Sequence, residues 1–385
     1  MTSAALTILL PLKDRVPFTE RWLSYAAKHL NFPVLIADGG ADRTVSDVIE
    51  EKKSAGADIQ YRQYAFDATY ADYFAKLADA LAHVTTPYVV MADNDDLFIA
   101  DGLTRAVEFL DANPGYVACG GQCAVFWLKR STSSADESLY GEDVEWKCSS
   151  QFSTDFAETA AERLRERCLG ANDVFYAVHR TPLLRRCFEA VRDCNFHDLF
   201  LMEQLVMFLT AIAGKTCQLD TLYIARQQDS PGSSGGAHQQ QFGDWYDRML
   251  VPTWSEDFAR FVDCSAAALA QADGIPADRA RRIVIDSYKA SVAPSLLGDL
   301  VEEPTVTWSM PLVLQLVRRL VSLPRSSPLR RAALAMYRQT RWLSHDFVHG
   351  TEFRTHRSRE AAREFQPVHS FLTGRPRQTS PTAGT

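Results

Sequence analysis

TPYVVMADNDDLF, residues Thr86 to Phe98, runs from five residues suited to a buried strand (Tyr88 to Ala92) straight into Asp93, Asn94, Asp95 and Asp96. A short apolar run bounded in this way fits a strand covered on both faces. Three carboxylates within four positions repel one another and raise one another's pKa, so a core strand that ends like this calls for a cation. Carboxylates at i and i+2 of a strand end reach the same side, and hard oxygen donors suit Mg²⁺ or Mn²⁺. With few protein ligands, such an ion completes its shell with water and the phosphates of a substrate. An EF-hand does not fit: counting Asp93 as position one, position six is Phe98 and position twelve Thr104, where Gly and Glu belong. A phosphatase-type aspartate pair meets Leu97 where Thr or Val is needed. A plain loop, with Asp101 capping the next helix, remains an alternative.

Outward from this stretch the chain alternates. Leu6 to Leu12, Pro33 to Ala37 and Ile59 to Tyr64 have strand patterns; Phe18 to Leu30, Thr44 to Ser54 and Ala71 to Val84 have helical spacing. Apolar strands alternating with helices predict an α/β fold with a mostly parallel sheet flanked by helices. Ligands of such sheets sit beyond the carboxyl ends of strands, where strand order reverses. ADNDD is at one such end and ADGG (Ala37 to Gly40) at another. Further on, Asp101 to Asn113 is helical, YVACGGQCAVFWL (Tyr116 to Leu128) is a long strand, and residues 130–160 have the polar, acidic make-up of a loop. DVFYAVHRTPLL (Asp173 to Leu184) reads as a strand entering a helix at Pro182. Leu199 to Ala213 is an apolar helix stopped by Gly214, and TCQLDTLYIAR is a strand. Gln227 to Gly243 is a flexible loop by composition. From Asp244 the pattern is helical, at Ala266 to Ala272, Ala277 to Val292, Pro311 to Ser322 and Leu329 to Leu343.

The 385 residues carry a net charge of -7, which argues against general nucleic-acid binding. Residues 301–385 hold 13 Arg and 6 acidic residues, a net +7, so the first 300 carry -14. A basic end on an acidic body suits peripheral contact with an anionic membrane through LVRRLVSLPRSSPLRRAAL, or a solvated helical face. Eight scattered cysteines without a CxxC or a zinc spacing fit reduced thiols in a cytoplasmic protein, possible work at the cytoplasmic face of a membrane included. No apolar run reaches the roughly 18 residues of a membrane span.

Three elements in order, PLKDR after the first strand, ADGGAD after the second and ADNDD after the fourth, resemble glycosyltransferase family 2 and its GT-A fold. The first Asp of that family's acidic turn is Ala37 here, leaving Asp38. The resemblance implies a GT-A domain over residues 1–240, a helical C-terminal region over 241–370 and a disordered tail over 371–385. It implies a metal-dependent, inverting transfer of a sugar from a nucleoside diphosphate sugar, a UDP-sugar first among them, to a hydroxyl of a glycan or lipid-linked acceptor. Pro11 and Leu12 would lie under the nucleotide with backbone groups facing the base. Asp38 would accept from the base or ribose, or merely form a turn. Arg15 or Lys76 would balance diphosphate charge, unless they are surface residues. Asp93 and Asn94 would line the donor site, and Asp93 and Asp95 would hold Mn²⁺ or Mg²⁺.

An inverting transfer also needs a carboxylate to take the acceptor's proton. The resemblance places it on a helix that ends in Gly before a strand, which here holds Glu203. Glu203 is the one acidic side chain of a mostly apolar helix, where a desolvated carboxylate gains a raised pKa. Asp198 is the rival, or an N-cap; five residues turn a helix by about 140°, so both do not face one site equally. His197 fits a structural or exposed role. On the acceptor side stand Asp173 and His179, and His238 lies in a loop able to close over the donor. A phosphoryl-transfer enzyme using Asp93 and Asp95, and a non-catalytic nucleotide-sugar-binding scaffold, are the alternatives.

Overall fold

The computed structural model describes residues 5–129, 139–149, 152, 154–169, 174–228, 230–300 and 358–374. The first half is the expected alternation. β1 (Leu6–Leu12), α1 (Val16–His29), β2 (Val34–Asp38), α2 (Thr44–Ser54), β3 (Ile59–Gln63), α3 (Tyr70–Ala82) and β4 (Tyr88–Met91) follow one another. β1, β2 and β4 are buried along their whole length, which is why they read as unbroken apolar runs rather than alternating ones. Thr69 opens α3 with a reciprocal capping box to Asp72, a local signal that fixes where the helix begins.

β5 (Leu97–Phe98), α4 (Ala100–Ala112), β6 (Tyr116–Lys129), β7 (Asp143–Ser149), α5 (Ala160–Leu169), β8 (Val178–Arg180), α6 (Thr181–Cys194), α7 (Leu199–Ala213) and β9 (Lys215–Gln227) complete the sheet and its cover. The sheet order is β3-β2-β1-β4-β8-β6-β9-β5, with β7 on β6. β3, β2, β1 and β4 are mutually parallel; β8 enters antiparallel to β4 and β6, and β6 pairs parallel with β9. The result is mixed α/β of the GT-A kind, with helices on both faces. The chain leaves β1 towards β2 on one side and returns with β4 on the other, so strand order reverses between β1 and β4. The carboxyl ends of those two strands therefore border a crevice.

α8 (Ser234–Phe242), α9 (Trp245–Met249), α10 (Trp254–Asp273), α11 (Ala277–Leu300) and α12 (Ser358–Thr373) form the helical remainder. α10 and α11 pack on each other and on α5 and α7, and α12 lies against β7 and β9. All eight cysteines are free thiols, six of them buried. Among the described residues no helix is long and apolar enough to cross a membrane.

Four expectations need correction. Residues 130–160 are not all loop: β7 pairs with β6 from Cys123↔Ser149 to Lys129↔Asp143, and its Trp146 stacks on Phe365 of α12, a partner more than two hundred residues away. Gln227 to Gly243 is not a loop throughout, because Ser233 caps α8 by accepting from Gly236 N and His238 buries completely. The strand expected from Asp173 shrinks to three residues, the Val174–Ala177 stretch being closed by an Ala177 N to Val174 O turn. The tail does not start at 371, since α12 runs through Thr373 with Leu372 buried and Phe371 against Tyr25. Asp173, the helices expected at 311–322 and 329–343, and the basic stretch between them lie outside the described residues.

Candidate active site

The crevice is built at the ends of β1 and β4. After Leu12 the chain turns through Asp14 and Arg15, both left-handed at φ 57° and 59°. Asp14 is held there by accepting from Ala41 N (2.7 Å) and Asp42 N (3.1 Å). Arg15 thereby points across the crevice to the end of β4. Its Nη1 donates to Asn94 Oδ1 (3.1 Å), and both Nη atoms approach Asp95 Oδ2 at 3.2 Å. Arg15 is thus no free surface residue. Asn94 also donates to Thr19 Oγ1 (3.2 Å), which ties the acidic turn to α1.

The three carboxylates differ in their surroundings. Asp96 is buried and committed: Arg226 Nε donates to its Oδ2 (3.0 Å) and Gln227 N to its Oδ1 (3.3 Å). Asp93 accepts from the Tyr176 hydroxyl, and the Tyr176 ring carries the Arg226 guanidinium 4.5 Å above it. Burial, then the charge of Asp95, raises the Asp93 pKa; burial raises that of Asp96 further, against the pull of Arg226. One oxygen from each of Asp93, Asp95 and Asp96 lies within 4.8 Å of the others. An all-oxygen, carboxylate-only set that close together fits a hard divalent ion.

Glu203 is half-buried on α7. Its charge and that of Asp93 both act on the phenols of Tyr73 and Tyr176, whose pKa values burial raises first of all. Both charges are thus felt at the same two phenols. Asp198 turns the other way. It caps α7 by accepting from Leu201 N (2.9 Å), receives Arg248 through Nε (2.9 Å) and Nη2 (2.7 Å), and meets His238 Nε2 at 3.3 Å. Burial alone would raise its pKa, but the bonds from His238 and Arg248 hold it at about 2, so Asp198 is engaged as an anion in the packing of α7.

At the end of β2, Asp38 is 1 % exposed and accepts from Gly40 N and the Tyr61 hydroxyl, each at 2.8 Å. Pro11 and Leu12 are buried in β1, paired in register with Ala37 and Asp38. The Leu12 carbonyl is already taken by Gly39 N (3.0 Å) and Lys76 Nζ (2.8 Å), so it does not face a base. Lys76 is corrected too: it is buried against Asp67, and both partners are shifted towards neutrality by burial. Gly39 sits on that carboxylate so closely that any Cβ would collide with it. His179 is fully buried in β8, with Nδ1 2.8 Å from Ala177 O, and is a core residue rather than an acceptor contact. His238 packs edge-on to Tyr70 and Phe200 within α8, not in a loop.

The residues that sequence reasoning missed are Tyr73, Tyr176, Arg226 and Asp67. Tyr176 lies inside the stretch Asp173 to Arg180, but attention to its charged ends passed over the phenol. Arg226 ends β9, and nothing local marks its pairing with Asp96 across 130 positions. Two hollows, of about 440 Å³ beside Tyr116 and Lys215 and about 400 Å³ beside Val34 and Ile59, lie at the amino ends of strands, away from these groups.

No curated protein sequence matches the chain. Among solved structures, residues 1–349 of S. aureus TarS overlay with 14 % identity and a TM-score of 0.45, covering 97 % of this chain and 93 % of that one. The same protein in complex with UDP-GlcNAc gives 14 % identity, a TM-score of 0.46 and the same coverage. The mannosyltransferase PcManGT from Pyrobaculum calidifontis, in complex with GDP-Man and Mn²⁺, gives 14 % and 0.39, covering 97 % and 88 %. The model of "Glycosyl transferase family 2" matches residues 7–192, from β1 to α6, and so takes in both strand ends of the crevice and the whole acidic turn. Residues 7–192 are a glycosyl transferase family 2 domain.

Proposed function

We propose that this chain moves a sugar from a nucleoside diphosphate sugar to an acceptor hydroxyl with inversion, Glu203 serving as base. What supports it best is that the charges of Glu203 and Asp93 both act on the phenols of Tyr73 and Tyr176, the latter hydrogen-bonded to Asp93 just past β4. The acceptor oxygen attacks the anomeric carbon, the bond to the diphosphate breaks on the opposite side, and Glu203 takes the acceptor's proton. Asp93 and Asp95 would hold the divalent ion, Mn²⁺ or Mg²⁺, because Asp96 is already engaged by Arg226 and Gln227. That ion supplies positive charge where the departing diphosphate becomes more negative. Tyr176 fixes the orientation of Asp93, and Asn94 that of the turn. Asp38, at the end of β2, is offered to the nucleoside. Residues up to about 240 form the catalytic unit, buttressed by the helices that follow, and the acceptor is a glycan or lipid-linked hydroxyl.

The test is metal-dependent release of nucleoside diphosphate from a panel of UDP-, GDP- and dTDP-sugars. Glu203→Gln is expected to lower turnover on the order of 10²- to 10⁴-fold, the usual contribution of a general base, with metal-dependent donor binding kept. A Glu203→Gln enzyme that turns over at the wild-type rate would remove Glu203 from the mechanism.

A further inference from the structure

Arg15 stands out among the cations of the crevice. Arg226 and Arg21 are both committed to protein groups: Arg226 to Asp96, and Arg21 to Gln227 Oε1 (2.8 Å) and the carbonyl oxygens of Leu139 (2.9 Å) and Asp95 (3.2 Å). Arg21 is 1 % exposed. The Arg15 side chain is 19 % exposed, and solvent reaches it. It faces Asp95 Oδ2, Asn94 Oδ1 and the Ser230 hydroxyl, and it stacks 4.2 Å above the Phe18 ring. Its Nε, like that of Arg21, is buried without a hydrogen-bond partner, so this guanidinium, unlike that of Arg21, is both imperfectly satisfied and open to solvent. Two successive non-glycine residues in the left-handed region, Asp14 and Arg15, place it there, a conformation that costs energy and persists only where surrounding contacts enforce it.

Resting on the metal-site reading above, we propose that Arg15 is an exchangeable counter-cation: it neutralises Asp95 until a divalent ion arrives with a diphosphate, and then turns to the diphosphate. Charge and geometry argue for it. Asp95 lies beside two other carboxylates, and a buried carboxylate without compensation is costly. A guanidinium on one of its oxygens removes that cost, and it equally repels a bare divalent ion at the same carboxylate. A diphosphate reverses the sign of that interaction, because its oxygens accept a two-toothed guanidinium well. Arg15 therefore couples the two ligands: the ion alone binds against it, and the ion with diphosphate binds with its help. The Phe18 face allows the swing, since a guanidinium can slide over a ring without losing that contact.

The experiment measures Mn²⁺ binding by calorimetry and by the loss of the free-ion electron paramagnetic resonance signal, with and without micromolar inorganic pyrophosphate, on wild type, Arg15→Gln, Arg15→Lys and Asp95→Asn. Arg15→Gln is expected to bind Mn²⁺ alone on the order of tenfold more tightly, as loss of a neighbouring positive charge requires. The same variant is expected to bind pyrophosphate in the presence of Mn²⁺ on the order of tenfold more weakly. Arg15→Lys keeps the charge and is expected to stay near wild type for Mn²⁺ alone, which separates charge from any disturbance of the turn. Mn²⁺ binding that Asp95→Asn leaves unchanged overturns the metal site and this proposal together. Asp95-dependent binding that Arg15→Gln leaves unchanged or weakens overturns the role of Arg15 alone.

Discussion

Asp198 is a carboxylate whose two oxygens are both taken by the protein itself. It spends one oxygen on the α7 cap and Arg248, and the other on Arg248 and His238. Asp198→Asn keeps the shape but leaves Arg248 buried against a neutral amide, and breaking a buried pair in this way costs about 3 kcal/mol or more. The expected outcome is a urea midpoint lowered accordingly, with turnover per folded molecule kept. Glu203→Gln is expected to do the reverse, keeping the midpoint and losing turnover. A single denaturation curve and a single rate for each variant distinguish the two carboxylates. The sequence offered both residues and named the N-cap alternative for Asp198, because a cap is local: an Asp immediately before an apolar helix. It favoured Glu203 only through the apolar character of its helix, and gave no view of Arg248 and His238, which lie fifty and forty positions on from Asp198.

Among the elements, α12 is the one whose role depends most on distant partners. Between Gly120 and Gln122 the β6–β9 register slips, and a slip of this kind frees backbone groups from the ladder. Leu222 N, beside the slip, donates to Glu364 Oε2 (2.9 Å), and Thr221 Oγ1 donates to Glu364 Oε1 (2.8 Å). α12 thus meets the hydrogen-bonding need of an irregular point in the sheet, and Phe365 and Phe371 pack beside it on Trp146 and Tyr25. Glu364→Leu removes both acceptors and is expected to cost about 1–3 kcal/mol, the usual penalty for buried donors left without a partner. Native-state hydrogen exchange at Leu222 and Thr221 should speed up more in that variant than exchange in β1, which makes the loss local to β9 and α12. Elements held by short-range signals, such as α3 with its capping box or α7 ending at Gly214, were legible residue by residue. β7, α8 and α12 were not, because what stabilises each is a surface supplied by another part of the chain: α12 for β7, the Tyr70 and Phe200 rings for α8, and β9 for α12.

For the molecule as a whole, β1, β2 and β4 were readable because each is buried on both faces and carries that fact in its composition, while β3, only partly buried, was readable from its alternation. Acid sensitivity is a property of the same burial. His179 lies in β8 between Val89 of β4 and Ala118 of β6, fully enclosed, with Nδ1 facing Ala177 O and Nε2 3.5 Å from Thr210 Oγ1. Burial pulls its pKa from 6.5 down to about 4, only partly offset by the Ala177 carbonyl. Between these values the unfolded chain takes up a proton that the folded one refuses. The stability that comes from keeping His179 neutral is therefore complete above pH 6.5 and lost progressively towards pH 4, a loss of about 3 kcal/mol across the window. Asp198 contributes in a lower window, since its depressed pKa gives stability that is present above about 4 and lost only as pH falls towards 2. Urea unfolding at pH 7.5, 6.0, 5.0 and 4.5 is expected to show stability falling steadily in wild type, and a flatter profile in His179→Asn, which has no imidazole to protonate. The variant will be less stable at neutral pH, so the quantity that decides is the slope with pH and not the midpoint at any one pH. An unchanged slope would mean that the imidazole is protonated inside the sheet, which the absence of any facing carboxylate among its hydrogen-bond partners speaks against.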